Sequence, residues 1–547
     1  MPRATLAKRL WKLTFLAIAF FYLFGLGRLP LVGPDEPRYA EAAREMFARH
    51  DFITPTIGGH PWFEKPALLY WLMMASYRLL GVSEYAARLG PALCGLLTGV
   101  FIFWLGRTVA RANQSTEQGN PGKLGEWSTL VFLSSLGAIA FSRAASFDIV
   151  LTMTLTGALC CFFIWDTENA NRRNRRWLLA AFYFFIGLSL LAKGLVGIVL
   201  PLGIIAGHLI LRRAWPNKTF LLSLLWGFPI ALVVASSWYG PMIYRHGWTF
   251  IDQFIIQHHF ARFLSNKYHH PQPIYFYLPT IAWLCVPWTL LLISGVVRST
   301  LDLRVSASAG DLRSFAVLWV AVPTLFFSLS SAKLPGYILP VLPAAALLAG
   351  YEIDRYIQGK RNIRIIRVTA GLLIATAAIG AVYASRQFGI PRPLLASAVT
   401  IAVVAGGVGL LFPRQRAAAA GMLALASLAI SAVALSAARG PAARHSVRDL
   451  IHAADARGYS SAPVFYLLCD DRTAEFYASG RLAYDATGEP TRFEGAQGVS
   501  AAIREKGGVG VVLIQSRWEK QLTDYGAVAT EKIADNGWNS VFVVRVR

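Results

Sequence analysis

Ionisable side chains recur at the ends of long apolar runs in this sequence, and their types suggest chemistry on a charged, partly lipidic substrate. Asp35 and Glu36 stand in GPDEPRYAEAARE, residues 33–45, just after a hydrophobic segment. Glu64 and Lys65 follow in WFEKPALLYWL, Asp148 in SFDIVLTM, Lys193 in LLAKGLVG, and Lys333 and Tyr337 in SSAKLPGY. Residues 257–270, QHHFARFLSNKYHH, add four histidines and Arg262. A carboxylate at an apolar boundary can orient a substrate, hold a cation or take a proton, whereas lysine and arginine there can bind phosphate.

Each motif also has a plainer reading. The acid pair beside Pro37 can start a helix over PRYAEAAREMFAR by capping, with Arg38 and Tyr39 one turn along as neighbours of Asp35. Phe63-Glu64-Lys65-Pro66 can anchor a helix at the interface, with Lys65 snorkelling; functionally, Lys65 is a point charge for phosphate and Glu64 its partner or a metal ligand. His258 or His259 with Glu64 can bind zinc or another divalent ion, although no ligand spacing is diagnostic and the chemistry does not require a metal. Arg262 can equally clamp a phosphate. Pro335-Gly336 reads as a turn, and Lys193, Lys333 and Tyr337 can either sit at head-group level or hold a polar head group.

The elements that must position these residues are membrane spans. Of 547 residues, 55% are hydrophobic and only 15% charged, which is well below the soluble average. Apolar runs near 11–28, 88–106, 127–145, 148–166, 177–192, 195–211, 219–238, 275–297, 314–330, 337–353, 366–385, 393–412 and 418–437 predict about thirteen transmembrane helices. Residues 67–80 form a shorter run carrying Arg78, read as an interfacial or re-entrant helix. The first run follows MPRATLAKRLWK without a small-residue cleavage site and is read as an uncleaved span.

The formal net charge is +23. In a soluble chain that would suggest nucleic acid, but here the lysines and arginines fall in alternate short loops, which points to topology and to contact with the lipid bilayer rather than to nucleic acid. That alternation puts the N-terminus in the cytoplasm, and Asp35, Glu64, Lys65, Asp148, Lys193, the histidine loop and Lys333 on the opposite face. The five cysteines match neither a disulfide framework nor a zinc site. The sequence divides into a membrane domain, residues 1–440, and a small α/β domain, residues 441–547, where the apolar runs shorten to strand length at 463–468, 508–515 and 540–546.

Taken in order, GPDEPRYAEAARE, WFEKPALLYWL, SFDIVLTM, LLAKGLVG, FLSNKYHHPQPIYFYLP and LSSAKLPGYILPVLP resemble the aminoarabinose transferase family, bacterial lipid A glycosyltransferases of the protein O-mannosyltransferase-like group. The likeness runs over residues 11–360 and is looser beyond. It implies a polytopic α-helical membrane protein of the GT-C glycosyltransferase fold, with juxtamembrane helices in the first outer loop and a periplasmic C-terminal α/β domain. It also implies transfer of 4-amino-4-deoxy-L-arabinose from undecaprenyl phosphate to lipid A phosphate at the periplasmic face of the inner membrane, giving resistance to polymyxin and cationic peptides. Asp35, Glu64, Lys65 and Asp148 match the family's acidic and EKP positions; Tyr39, Lys193, Arg262, Lys333 and Tyr337 fit outer-loop positions. Gly33-Pro34 departs from the residues that relatives often carry before the first acid.

A phosphate acceptor is already anionic near pH 7, so a strong general base is less necessary than for an attacking hydroxyl. Asp35 and Asp148 are therefore expected to orient the acceptor or the sugar ammonium, or to hold a metal, rather than to remove a proton, with Lys65 and either Arg262 or a metal neutralising the leaving phosphate. A transferase acting on protein hydroxyls or another glycan would instead need a base, for which Asp35 is the candidate. A transporter or flippase would carry its charges at mid-span in broken helices, whereas the conspicuous charges here lie at span ends.

Overall fold

The computed structural model describes residues 2–114, 122–167, 176–261, 272–305, 312–388, 390–411 and 415–546. The expected apolar runs all fall on helices. Among the described residues, seven helices are long and apolar enough to cross a membrane, or nine if each of two bent pairs is one span; four shorter apolar helices accompany them. The short run at 67–80 is a helix, Leu68–Leu80.

Two runs expected to be straight are broken. The first bends by 63° between Leu124–Ser134 and Leu136–Ser142. The Ser134 and Ser135 hydroxyls donate to the carbonyls of Leu130 (2.6 Å) and Phe132 (2.7 Å), competing with the helical ladder as serine does. The second bends by 119° between Tyr277–Leu284 and Thr289–Asp302, where Pro287 has no N–H to continue the helix. The two breaks brace each other. The Leu136 amide donates to the Val286 carbonyl at 3.0 Å, and the Trp288 indole donates to Ser134 Oγ at 3.0 Å. A third difference is that the helix expected at 219–238 continues to Phe250, through a non-helical Gly247, into what had been expected as loop.

The chain forms two compact units that are not contiguous in sequence. The first gathers Met1–Phe24, Glu64–Leu69 and Gly90–Ala434; the second gathers Gly25–Phe63, Tyr70–Leu89 and Leu435–Arg547. The second unit contains the helix Asp35–Ala48 and a small hairpin of β1 (Thr56–Ile57) and β2 (His60–Pro61). It also contains a five-stranded mixed sheet of β3 (Val464–Leu467), β4 (Arg492–Phe493), β5 (Val509–Gln515), β6 (Val528–Asp535) and β7 (Asn539–Val546), in the order β4-β3-β5-β7-β6. Strand β3 runs parallel to β4 and β5, while β7 runs antiparallel to β5 and β6. Val499 and Ile503, four residues apart on the helix Ala496–Glu505, pack into a core with Phe465, Val512, Ile514 and Phe542.

Candidate functional site

In the first unit, three polar elements converge. Asp148 lies in the first turn of the helix Phe147–Thr167, and its amide donates to Ser146 Oγ at 3.1 Å. Lys193 is the last residue of the helix Arg176–Lys193, which stops at Gly194 in a left-handed conformation (φ 68°), a conformation glycine adopts without steric cost. The Lys193 ammonium is ion-paired with the Asp148 carboxylate and lies 4.3 Å from the centroid of the Tyr337 ring, a cation–π contact. Tyr337 belongs to the helical turn Pro335–Val341. A side chain at Gly336 would overlap the Asp148 carboxylate and the Phe141 ring, so glycine permits this close approach. Asp148 and Lys193 keep 18% and 14% of their side chains exposed, enough for a ligand to reach them.

Lys333 is nearly buried and donates to the carbonyls of Ser330 (2.6 Å) and Gln272 (3.1 Å), leaving one of its three ammonium protons beyond those two bonds. The Tyr277 hydroxyl donates to the Leu334 carbonyl at 3.2 Å, fixing the same turn. Asp148, Lys193 and Tyr337 thus form one cluster, and Lys333 is anchored at the start of the segment that carries Tyr337. Glu64 and Lys65, also in the first unit, pair with each other at 2.9 Å.

The second unit separates the two adjacent acids. Asp35 is exposed at the first residue of its helix and makes no capping hydrogen bond; both acids act in the first turn, where negative charge suits the helix dipole. Glu36 is buried and bidentate with Arg88, whose Nε and Nη2 donate at 2.8 and 2.7 Å. Arg88 also donates to the carbonyls of Leu26, Leu29 and Pro30 at 2.7–2.8 Å. The pair pins the loop preceding the helix, a role sequence reasoning missed. A charged Arg88 inside the apolar stretch AARLGPALC was the available signal.

Arg38 and Tyr39, expected to bind substrate, are engaged within the unit. Arg38 lies 3.7 Å from Glu475, 3.8 Å from Glu489 and 4.9 Å from the Trp62 ring, and the buried Tyr39 stacks on Trp62 at 6.0 Å. Further along the same helix, Glu41 is fully buried and hydrogen-bonded to Arg44. Burial outweighs the arginine and raises its pKa to about 7.

Arg262 and the side chain of His259 lie outside the described residues, so the histidine-loop part of the expected site is limited to His258. Among the described residues, no group of three or more His, Cys, Asp or Glu is placed to hold a metal, and Glu64 already faces the Lys65 ammonium. The expected metal ligands Glu64, His258 and His259 thus reach in part beyond the described residues.

Helices of membrane-spanning length, an acid–lysine pair at helix ends and a small α/β unit define a multi-pass membrane protein of the GT-C glycosyltransferase fold. The chain belongs to the dolichyl-phosphate-mannose-protein mannosyltransferase family, whose model matches residues 12–295. It is 31% identical over 370 residues to an undecaprenyl phosphate-α-4-amino-4-deoxy-L-arabinose arabinosyl transferase of Erwinia tasmaniensis, a match covering 66% of this chain and 63% of the relative. A protein of the same name from Edwardsiella ictaluri is 30% identical, over 61% of this chain and 58% of that one. The matches therefore span less than two thirds of these relatives' length. In fold the chain is similar to the crystal structure of ArnT from Cupriavidus metallidurans bound to undecaprenyl phosphate, with a TM-score of 0.80 at 24% identity, covering 97% of this chain and 98% of that one.

Proposed function

We propose that this protein transfers 4-amino-4-deoxy-L-arabinose from undecaprenyl phosphate to phosphate groups of lipid A, at the periplasmic face of the bacterial inner membrane. The names of the related transferases support the donor and the sugar. The observation that carries the chemistry is the partly exposed Asp148–Lys193–Tyr337 cluster at span ends. In the reaction, an oxygen of the acceptor phosphate bonds to the anomeric carbon while the bond from that carbon to the donor's phosphate oxygen breaks. The electron pair leaves with undecaprenyl phosphate. Lys193 supplies positive charge where that phosphate departs, and Lys333 and Lys65 are further cations of the same unit suited to phosphate. Asp148 orients Lys193 or the sugar ammonium and removes no proton, because the acceptor is already anionic. The modified surface is less anionic and binds cationic peptides such as polymyxin less well.

The test is purified enzyme with the undecaprenyl phosphate aminosugar and lipid A, read by mass spectrometry. Wild type adds one aminopentose per phosphate, and Asp148→Asn and Lys193→Ala abolish or strongly reduce the gain. Near-normal turnover in both variants rejects the mechanism. The family's name for a protein mannosyltransferase favours a second reading, transfer to protein hydroxyls; product on a Ser/Thr peptide and none on lipid A would select it.

A further inference from the structure

The second unit contains a cavity that the transfer chemistry does not use. Its volume is about 420 Å³, within the range of roughly 300–1,000 Å³ for small-molecule sites. Its position follows from the sheet. Strand β3 leads to β4 on one side of it, whereas β5 leads to β6 on the other, so the chain diverges at the β3/β5 boundary. In open α/β sheets, the crevice beyond the carboxyl ends of strands at such a switch point is where ligands bind.

Register brings the lining residues to that edge. Leu467 pairs with Ile514 at the ends of β3 and β5, so Asp470 and Asp471 emerge beside Gln515. Gln515 in turn pairs with Asn539 at the start of β7, which brings Trp538 to the same edge. Gly33 and Pro34, immediately before Asp35, complete the rim.

The lining chemistry selects the ligand. Trp538 is 59% exposed at the cavity, with the His445 ring 6.1 Å from it. Tryptophan is enriched at binding surfaces, where its apolar ring and its N–H can both be used. Asp471 is occupied by Thr473 and by Asn539, at 2.7–3.0 Å, and Arg472 by Glu475 and Glu489, at 2.9 and 2.7 Å. Among the described residues, Asp470 reaches only Arg472 Nε, at 3.8 Å. Among the described residues, the side chains of His445, Asp470 and Trp538 make no hydrogen bond. With its one arginine already paired and two carboxylates in the lining, the cavity disfavours anions. An apolar aromatic plate ringed by carboxylate, imidazole and amide complements a pyranose, which has an apolar C–H face and a rim of hydroxyls.

We infer that this cavity is a saccharide-binding site for a pyranose ring, with Trp538 as its platform and Asp470 favouring an amine substituent. The inference stands on the second unit alone and does not depend on which sugar the enzyme transfers.

The test is saturation-transfer difference NMR on the full-length protein in detergent, with methyl β-D-glucosaminide and methyl β-D-glucoside as probes. Both probes receive saturation, the amino sugar more strongly. Trp538→Ala weakens both by about tenfold, and Asp470→Asn removes the preference for the amine. Both substitutions are on exposed side chains, and an unchanged unfolding temperature excludes misfolding. Lys193→Ala, which disables the proposed transfer, leaves the signal intact. No saturation transfer to either probe, a signal unaffected by Trp538→Ala, or a signal lost in Lys193→Ala would each overturn the assignment.

Discussion

Two acid–base pairs are built from similar residues and arranged for opposite purposes. Glu36 and Arg88, in the second unit, are saturated. Arg88 spends its donors on one carboxylate and three carbonyls, and its side chain is 4% exposed. Asp148 and Lys193, in the first unit, are joined to each other and to the face of Tyr337, with part of each side chain still open. A charge whose hydrogen bonds are all made inside the protein has nothing left to offer a ligand. One held by an ion pair and an aromatic face, with part of the side chain exposed, is aligned, yet can exchange its carboxylate partner for a phosphate.

The saturated pair is the one whose loss unfolds. Arg88→Met removes the bidentate partner of the buried Glu36 and should cost about 3–5 kcal/mol, read as a large fall in the thermal unfolding midpoint in detergent. Adding Glu36→Gln should recover part of the loss, because the buried charge is then gone. The open pair should behave inversely. Lys193→Ala should reduce turnover by about 100-fold or more, while the unfolding midpoint shifts little. A Lys193 variant that unfolds as readily as Arg88→Met would erase the distinction.

Glu41 adds a smaller, pH-dependent contrast within the second unit. Its pKa is raised to about 7 in the folded state from an ordinary 4.5, so the folded protein binds the extra proton between those values. Stability should therefore fall as pH rises from about 4.5 to about 7. Glu41→Gln should flatten that part of the profile, seen in unfolding midpoints across the range. The smallest effect expected is from chelation. With Glu64 facing Lys65, EDTA should leave turnover unchanged; a loss restored by zinc would show that Glu64 serves an ion instead.

The spans were legible because lipid demands long apolar helices, and the ends of β3, β5 and β7 fell within one or two residues of their apolar runs. Strand β6, VATEKIAD, was not legible, since an edge strand alternating with Glu531, Lys532 and Asp535 resembles a solvated loop. Lys193, Asp148 and Tyr337 could each be named from residue type and boundary position. Their convergence depends on Gly336 letting one turn touch Asp148, which no spacing reveals. Asp35 and Glu36 looked like one motif, and only Arg88, 52 residues downstream of Glu36, separates their roles.

The bracing of the two broken helices also constrains how the protein is assembled. The Leu136 amide finds its acceptor on Val286, a residue synthesised long after the first break has entered the bilayer. Lipid offers no substitute partner for a bare amide. The nascent chain must therefore carry an incomplete turn through the insertion of several later spans, and truncation before residue 286 should leave that turn open to membrane quality control.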